Sequence, residues 1–403
     1  MKFVASLLSA AFLMSCGPVT VNAQAQGNPV EPKPPNAPNQ EPAFPGQTRA
    51  PAAEQVPVRA ETVVEGLDQA WAFEFLPDGR MLVTEKSGTM RIIGADGDGR
   101  VTVEGVPEVD SRGQGGLLDV ALGPDFTDDR MVYFSFSEPR DDGNGTTLAR
   151  ARLVEQGGGA ALENVEILFR QMPSWTSTKH FGSRIVFAPD GNIFLTVGER
   201  GQPQSRDLVQ DLDNHFGKVI RLQPDGSVPP DNPFVDTDGA RSEIWSYGHR
   251  NVQSATLDGE GQFWLVEHGP RGGDELNQPE AGKNYGWPVI TYGLAYSGKP
   301  FGQGITKKED MEQPVYYWDP VIAPSGMDFY EGDLIPEWQG SFLIGGLVSH
   351  GVVRLVMEDG RVAAEERIDL GARIRDVKVG PDGAVYAVTD GGSGRILRIV
   401  PDD

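Results

Sequence analysis

A strand, a tight turn and a second strand recur six times along this chain, and that repeat limits the architectures open to it. Phe75-Leu76-Pro77-Asp78-Gly79 precedes RMLVTEKSG, Leu122-Gly123-Pro124-Asp125-Phe126 precedes MVYFSF, and Phe187-Ala188-Pro189-Asp190-Gly191 precedes NIFLTVGERG. Leu257-Asp258-Gly259-Glu260-Gly261 precedes QFWLVEHG, Tyr330-Glu331-Gly332-Asp333 precedes SFLIGGLVSHG, and Val379-Gly380-Pro381-Asp382-Gly383 precedes AVYAVTDGGSG. Proline pre-sets the first turn dihedral and glycine accepts the positive φ that follows, so each unit reads as a hairpin between apolar strands. No amphipathic helical pattern longer than a few turns separates the units. Six such units predict an all-β, six-bladed β-propeller, which protects strand edges by radial repetition and gathers loops from every blade at one channel mouth. Functional residues are expected in the loops that follow the inner strands.

The formal net charge of -23 sets a repulsive field before phosphate backbones and anionic lipid surfaces, so nucleic acid and membrane-surface partners are excluded. Residues 1–23 carry Lys2, an apolar run from Phe3 to Met14 and the small-x-small sequence Val21-Asn22-Ala23, the pattern of an export signal. Leu13-Met14-Ser15-Cys16 offers a second processing site, a lipobox ending at Cys16, and a lipid there would be the only membrane link. The expected location is the periplasm or cell envelope. Cys16 is the sole cysteine, so no disulfide supports the folded part. Residues 24–60 are rich in Pro, Ala, Gln, Asn and Glu and poor in large apolar side chains; they are expected to be a disordered, partly polyproline tether. Residues 61–403 make the propeller.

Several loops place polar residues beside glycines, where backbone can approach a ligand closely: Gly113–Leu118, Lys179–Arg184, Gly248–Asn251, Glu267–Pro270 with Gly273–Glu275, and Arg373–Asp376. Arg373 and Arg375 are two apart, so on a strand both guanidinium groups face one way and suit an anion. Asp274 and Glu275 are read either as a supporting calcium site or as solvated loop residues. Asp96-Gly97-Asp98-Gly99 lacks the later glutamate of an EF-hand loop and reads as a turn.

Together with Asp211–Leu222 and Asn284-Tyr285-Gly286-Trp287-Pro288, these segments run in order from about Leu67 to Ile399 and resemble the soluble aldose (glucose) dehydrogenases that use pyrroloquinoline quinone (PQQ), the glucose/sorbosone dehydrogenase-like proteins. The resemblance implies PQQ and calcium as cofactors and oxidation of an aldose at its anomeric carbon to a lactone, with electrons passed to an unidentified external acceptor. It implies His180 as general base, a role suited to neutral imidazole near pH 7. Arg250 and Asn251 match the pair that contacts the quinone, and Arg250 would stabilise charge on the reduced ring. Arg373 and Arg375 would bind PQQ carboxylates. Gly269 and Pro270 would offer carbonyl oxygens to calcium. Gln114 and Gln204 match positions lining the sugar pocket. Lys179, also on the substrate side, stands where glucose-oxidising members carry an aspartate that orients the base. Val348 stands where they carry a cofactor-binding lysine, with His350 two residues on. NYGWP is read as an aromatic corner packing between blades, with a ligand platform as its alternative. Two other functions stay open: a calcium-dependent propeller lactonase, against which the arginine pair argues, and a non-catalytic binding propeller.

Overall fold

The computed structural model describes residues 27–402, so the export-signal and Cys16 readings lie outside the described residues. The chain opens with β1 (Val58–Leu67). The first blade is then β2 (Ala70–Phe75), β3 (Met81–Glu85), β4 (Thr89–Ile93) and β5 (Val101–Glu104). The second is β6 (Leu117–Leu122), β7 (Met131–Arg140), β8 (Gly143–Gln156) and β9 (Gly159–Arg170), joined to the first where β5 and β9 pair in parallel. The third blade comprises β10 (Gly182–Phe187), β11 (Ile193–Val197), β12 (Lys218–Leu222) and β13 (Ile244–Tyr247). The fourth comprises β14 (Val252–Leu257), β15 (Phe263–Glu267), β16 (Asp274–Asn277) and β17 (Tyr316–Trp318). The fifth comprises β18 (Pro324–Phe329), β19 (Ser341–Gly346), β20 (Gly351–Glu358) and β21 (Arg361–Asp369). The sixth contains β22 (Ile374–Val379), β23 (Val385–Thr389) and β24 (Gly394–Pro401), with β1 as its outermost strand. The start of the propeller is thus paired with its end, Arg59 opposite Val400, and the ring closes without a free edge at that seam.

Each blade is sandwiched between two neighbours, which is why the second strands read as unbroken apolar runs rather than alternating ones. All five residues of β3, β11, β15 and β23 are buried. The core accordingly falls into clusters between successive blades. Leu82 and Met90 meet Val120 and Phe134 between the first and second. Tyr386 and Val388 meet Met81 and Val83 between the sixth and first. All six anticipated turns join an innermost strand to the second strand of its blade, one per blade.

The proline-rich segment departs from expectation. Residues 27–57 are not a disordered tether but a strap across the outer edges of the fourth and fifth blades. Thr48 forms a parallel bridge with Tyr317 and Ala52 with Glu365. Tyr317 N donates to Gln47 O at 2.9 Å, and Glu365 N donates to Pro51 O at 2.9 Å. Composition counted too few large apolar side chains to hold such a segment. The strap instead satisfies open strand edges with backbone hydrogen bonds and buries only small or amide side chains, Ala37, Gln47 and Ala50. Its prolines lower the entropy lost on ordering.

Candidate active site

The Pro-Asp-Gly hairpins occupy one end of the channel, and the residues singled out above gather at the other. They lie in loops that enter the innermost strands (His180 before β10, Arg250 and Asn251 before β14, Arg373 before β22) and in loops that leave the second strands. The expectation of loops following the inner strands is therefore corrected: those loops are the hairpins at the far end. Between the two ends Arg184 plugs the channel, paired with Asp119 at 2.7 Å and Asp376 at 3.1 Å, and stacked over Trp71. The upper end is consequently a blind cup. A hollow of about 680 Å3 lies among the far-end turns around Glu331 and Asp382, away from this chemistry.

His180 sits in a left-handed backbone conformation, φ 50°, which a residue with a Cβ adopts only when its surroundings impose it. Its N–H donates to Gln114 Oε1 at 2.7 Å, and its carbonyl accepts from Arg200 N at 3.2 Å. Arg200 also holds the preceding loop, donating to Lys179 O at 2.9 Å and Ser177 O at 2.9 Å while its guanidinium lies 3.6 Å from the Phe181 ring centroid. The imidazole Nδ1 is 2.8 Å from Glu199 Oε1, and Glu199 is itself fixed by accepting Gly201 N at 2.7 Å through Oε2. A carboxylate accepts a hydrogen bond from Nδ1–H, which keeps the proton on Nδ1, assigns the tautomer and leaves the Nε2 lone pair free. Burial, followed by the charge of Arg250, lowers the His180 pKa from its ordinary 6.5, while Glu199 opposes the shift; the ring is neutral at pH 7.

Arg250 is 6% exposed and spans the cup floor. Its guanidinium donates to His268 O at 3.0 Å and Gly269 O at 2.9 Å and lies over Trp287, while its buried Nε has no partner. Glu267 holds the turn that carries it, accepting Arg250 N at 2.6 Å and meeting His249 Nδ1 at 3.0 Å. Asn251 Oδ1 accepts from Gly182 N at 3.3 Å, next to the His180 loop. Gln253 continues the chain of contacts, reaching Asn251 Oδ1 at 3.5 Å and accepting from Arg375 at 3.3 Å. Arg373 and Arg375 do face one way, and both grip the Asp390 carboxylate, at 2.9 Å and 3.1 Å. His180, Arg250, Gly269 and Arg375 therefore share one cup.

The remaining site residues fare differently. Gln114 reaches the cup but uses its amide oxygen on the His180 backbone. Lys179 is exposed beside the base, and its carbonyl, not its ammonium, is tied into the loop. Gln204 is exposed on the single-turn helix Pro203–Asp207 and makes no hydrogen bond to the cluster. His350 is exposed in the turn after β19, with no bond drawing it into the cup. Trp287 and Tyr285 are buried packing residues, the latter stacked on His249 at 4.8 Å, in keeping with the aromatic-corner reading. Asp274 and Glu275 are not solvated: Asp274 accepts Gly269 N and Ala323 N, a strut between the fourth and fifth blades. Sequence reasoning missed Glu199 and Asp390, and it missed Lys86, whose pKa is lowered by burial and by neighbouring Arg375.

The family model for glucose/sorbosone dehydrogenases matches residues 67–398 of this chain, nearly the whole ring. The chain belongs to that family. It is 44% identical to the aldose sugar dehydrogenase YliI of Escherichia coli over 352 residues, 85% of this chain and 93% of that protein. The apo structure of the E. coli soluble aldose sugar dehydrogenase superposes with a TM-score of 0.81 at 42% identity, covering 86% of this chain and all of that one. The PQQ-bound aldose sugar dehydrogenase of Streptomyces coelicolor superposes with a TM-score of 0.70 at 30% identity, covering 87% of this chain and all of that one. An uncharacterised Synechocystis protein is 38% identical over 418 residues, 99% of this chain and 98% of its own length. The strap lies before the first residue the family model matches.

The cup suits an anionic ring bearing carboxylates. Arg250 keeps a buried, unpartnered Nε, and Arg373 and Arg375 already form a carboxylate receptor around Asp390. Calcium fits less well on the protein's groups alone. Among the described residues no cluster of three or more His, Cys, Asp or Glu side chains could hold a metal, and Gly269 O is engaged by Arg250.

Proposed function

We propose that this family member is a PQQ-dependent aldose dehydrogenase that oxidises the anomeric carbon of the sugar to a lactone. The observation that carries the proposal is the single cup in which a neutral, carboxylate-oriented imidazole faces buried guanidinium groups, together with the PQQ-bound relative of the same fold. When bound, PQQ supplies the hydride acceptor. His180 Nε2 takes the hydroxyl proton, and Glu199 stabilises the imidazolium that results. Arg250 sits where it can oppose negative charge at the cup floor, and Arg375 with Arg373 would hold cofactor carboxylates. Trp287 packs against the Arg250 guanidinium, which lies 5.2 Å from its ring centroid. The likeness to an aldose sugar dehydrogenase and to a PQQ-bound relative of the same fold is why the redox reading is preferred to a lactonase.

Calcium is proposed at the carbonyls of Gly269 and Pro270, with cofactor oxygens completing its shell. Because Arg250 holds Gly269 O, that site should form only with PQQ present. An exported, cell-envelope location is also proposed, supported by the signal-like residues 1–23. The test is reconstitution of purified protein with PQQ and calcium, following dye reduction across a panel of aldoses. Turnover with lactone release is expected, and calcium should bind only together with PQQ. A protein that neither binds PQQ nor reduces dye with any aldose overturns the reading. His180→Ala should retain PQQ and lose turnover at least about a hundredfold; a near-normal rate would remove His180 as the base.

A further inference from the structure

The wall of the cup beside Gly269 is built from loops rather than strands. Residues 278–315 leave the fourth blade between β16 and β17 without forming a strand, and they carry Trp287, Ile290 and Thr291 to the cleft at Arg250 and Gly269. A second loop, Gly269–Gly273, pairs with them through the reciprocal bonds between Arg271 and Leu294, 3.0 and 2.9 Å. Gly293 lies so close to Pro270 that a Cβ there would come within 2.8 Å of its ring.

Both loops are held from behind by the strap. Gln47 is fully buried; its Nε2 donates to Pro314 O at 2.8 Å, and its Oε1 accepts from Tyr292 OH at 3.1 Å. Gln40 donates to Thr291 O at 3.3 Å. Asn36 accepts from Arg271 Nε at 3.1 Å through Oδ1 and donates from its backbone N to Asp319 Oδ1 at 2.9 Å. That Asp319 carboxylate lies against Gly272, where an added Cβ would meet Oδ1 at 2.6 Å. Ala37 N occupies the other carboxylate oxygen at 2.9 Å. Two lines of contact thus run from the strap to the cup: Gln47 through Tyr292 and Gly293 to Pro270, and Asn36 through Arg271 and Asp319 to the Gly269–Gly273 turn.

We propose that the strap, residues 27–57, is a positioning element for the cofactor: it fixes the Gly269–Gly273 and 284–313 loops in the arrangement that accepts PQQ, and Asn36, Gln40 and Gln47 are the residues through which it acts. The inference rests on the PQQ reading of the site and assigns part of the cofactor affinity to a segment outside the propeller. The strap touches the His180 side nowhere in this set of contacts, so its effect is confined to one wall.

The experiment uses the full chain and the double variant Asn36→Ala/Gln47→Ala. PQQ affinity is measured by fluorescence titration, and amide hydrogen exchange is followed in the cofactor-free protein. The expected result is a PQQ Kd raised at least about tenfold, with faster exchange in 268–273 and 284–313 and unchanged exchange in β12 and around Glu199–Gly201. A Kd within about twofold of the parent, or unaltered exchange in both loops, overturns the inference. If the double variant fails to fold, Gln40→Ala, which removes one bond, is read by the same two measurements. Should the parent itself not bind PQQ, the functional reading fails, while the exchange comparison still decides whether the strap orders the two loops.

Discussion

Replacing Glu199 with glutamine isolates the electrostatic half of the proposed base. The substitution preserves shape, and its amide oxygen can still accept Gly201 N, so the amide nitrogen is left facing His180 Nδ1. That donor forces the proton onto Nε2, the atom required to accept one from substrate. The carboxylate charge is lost as well. With Nδ1 and Oε1 2.8 Å apart, the charge centres of an imidazolium–carboxylate pair lie about 4 Å apart, worth about 4 kcal/mol at an effective dielectric of about 20, or roughly 10³-fold in rate. The side chains are 12% and 2% exposed, so solvent screens the pair little. The assay is kcat and kcat/KM for dye-coupled aldose oxidation from pH 5 to 9, with PQQ binding measured alongside. In the parent, burial and Arg250 hold the His180 pKa below its ordinary 6.5, so the acid limb falls below that pH. Glu199 raises that pKa, so in Glu199→Gln the remaining activity should show an acid limb moved to lower pH, with kcat down by the factor above and PQQ affinity unchanged. A kcat within about threefold of the parent, with the limb unmoved, would refute the dyad.

The two arginines should differ in weight. Arg375 is 14% exposed and Arg373 46%, so Arg375→Ala should weaken PQQ binding roughly tenfold to a hundredfold, the worth of about 1.5–3 kcal/mol for a hydrogen bond to a charged group, and Arg373→Ala less than about fivefold; titration of both single variants checks the order, and equal effects contradict it. Burial raises the Asp274 carboxyl from 3.8 to about 7, so its contribution to stability is present below its unfolded pKa and is lost as pH rises through about 7. Melting temperatures of the cofactor-free protein should therefore rise between pH 8 and 5, and this gain should shrink in Asp274→Asn; an identical pH dependence in the variant excludes Asp274 as its source.

The ring was legible because turn chemistry is local: each tight turn states its own geometry, three as Pro-Asp-Gly and three as variants of it, and six of them state a number of blades. The strap was not, because its order comes from strand edges hundreds of residues away, at Tyr317 and Glu365, which no composition count can register. His180 stood out by its motif, but its orienting partner was sought next to it in sequence, at Lys179. The partner stands 19 residues on, in the loop leaving β11 of the same blade. A pattern pointing there does exist. Glu85, Glu199, Glu267 and Asp390 each sit at or just past the end of a second strand, in four different blades. Each grips the loop that enters the innermost strand of its own blade: Glu85 takes Asp68 N at 2.9 Å, Glu267 takes Arg250 N, Asp390 takes the two arginines, and Glu199 takes the His180 ring. The geometry of a blade makes this so, because the end of its second strand always lies beside the start of its first. The device tightens a loop in the first blade, aims a guanidinium in the fourth, holds a carboxylate receptor in the sixth and orients a base in the third. The acidic residue is common to all four; which of them takes part in chemistry depends on what the entering loop presents to it, and of the two imidazoles so held His249 is fully buried against Glu267 while the His180 ring is partly open to solvent.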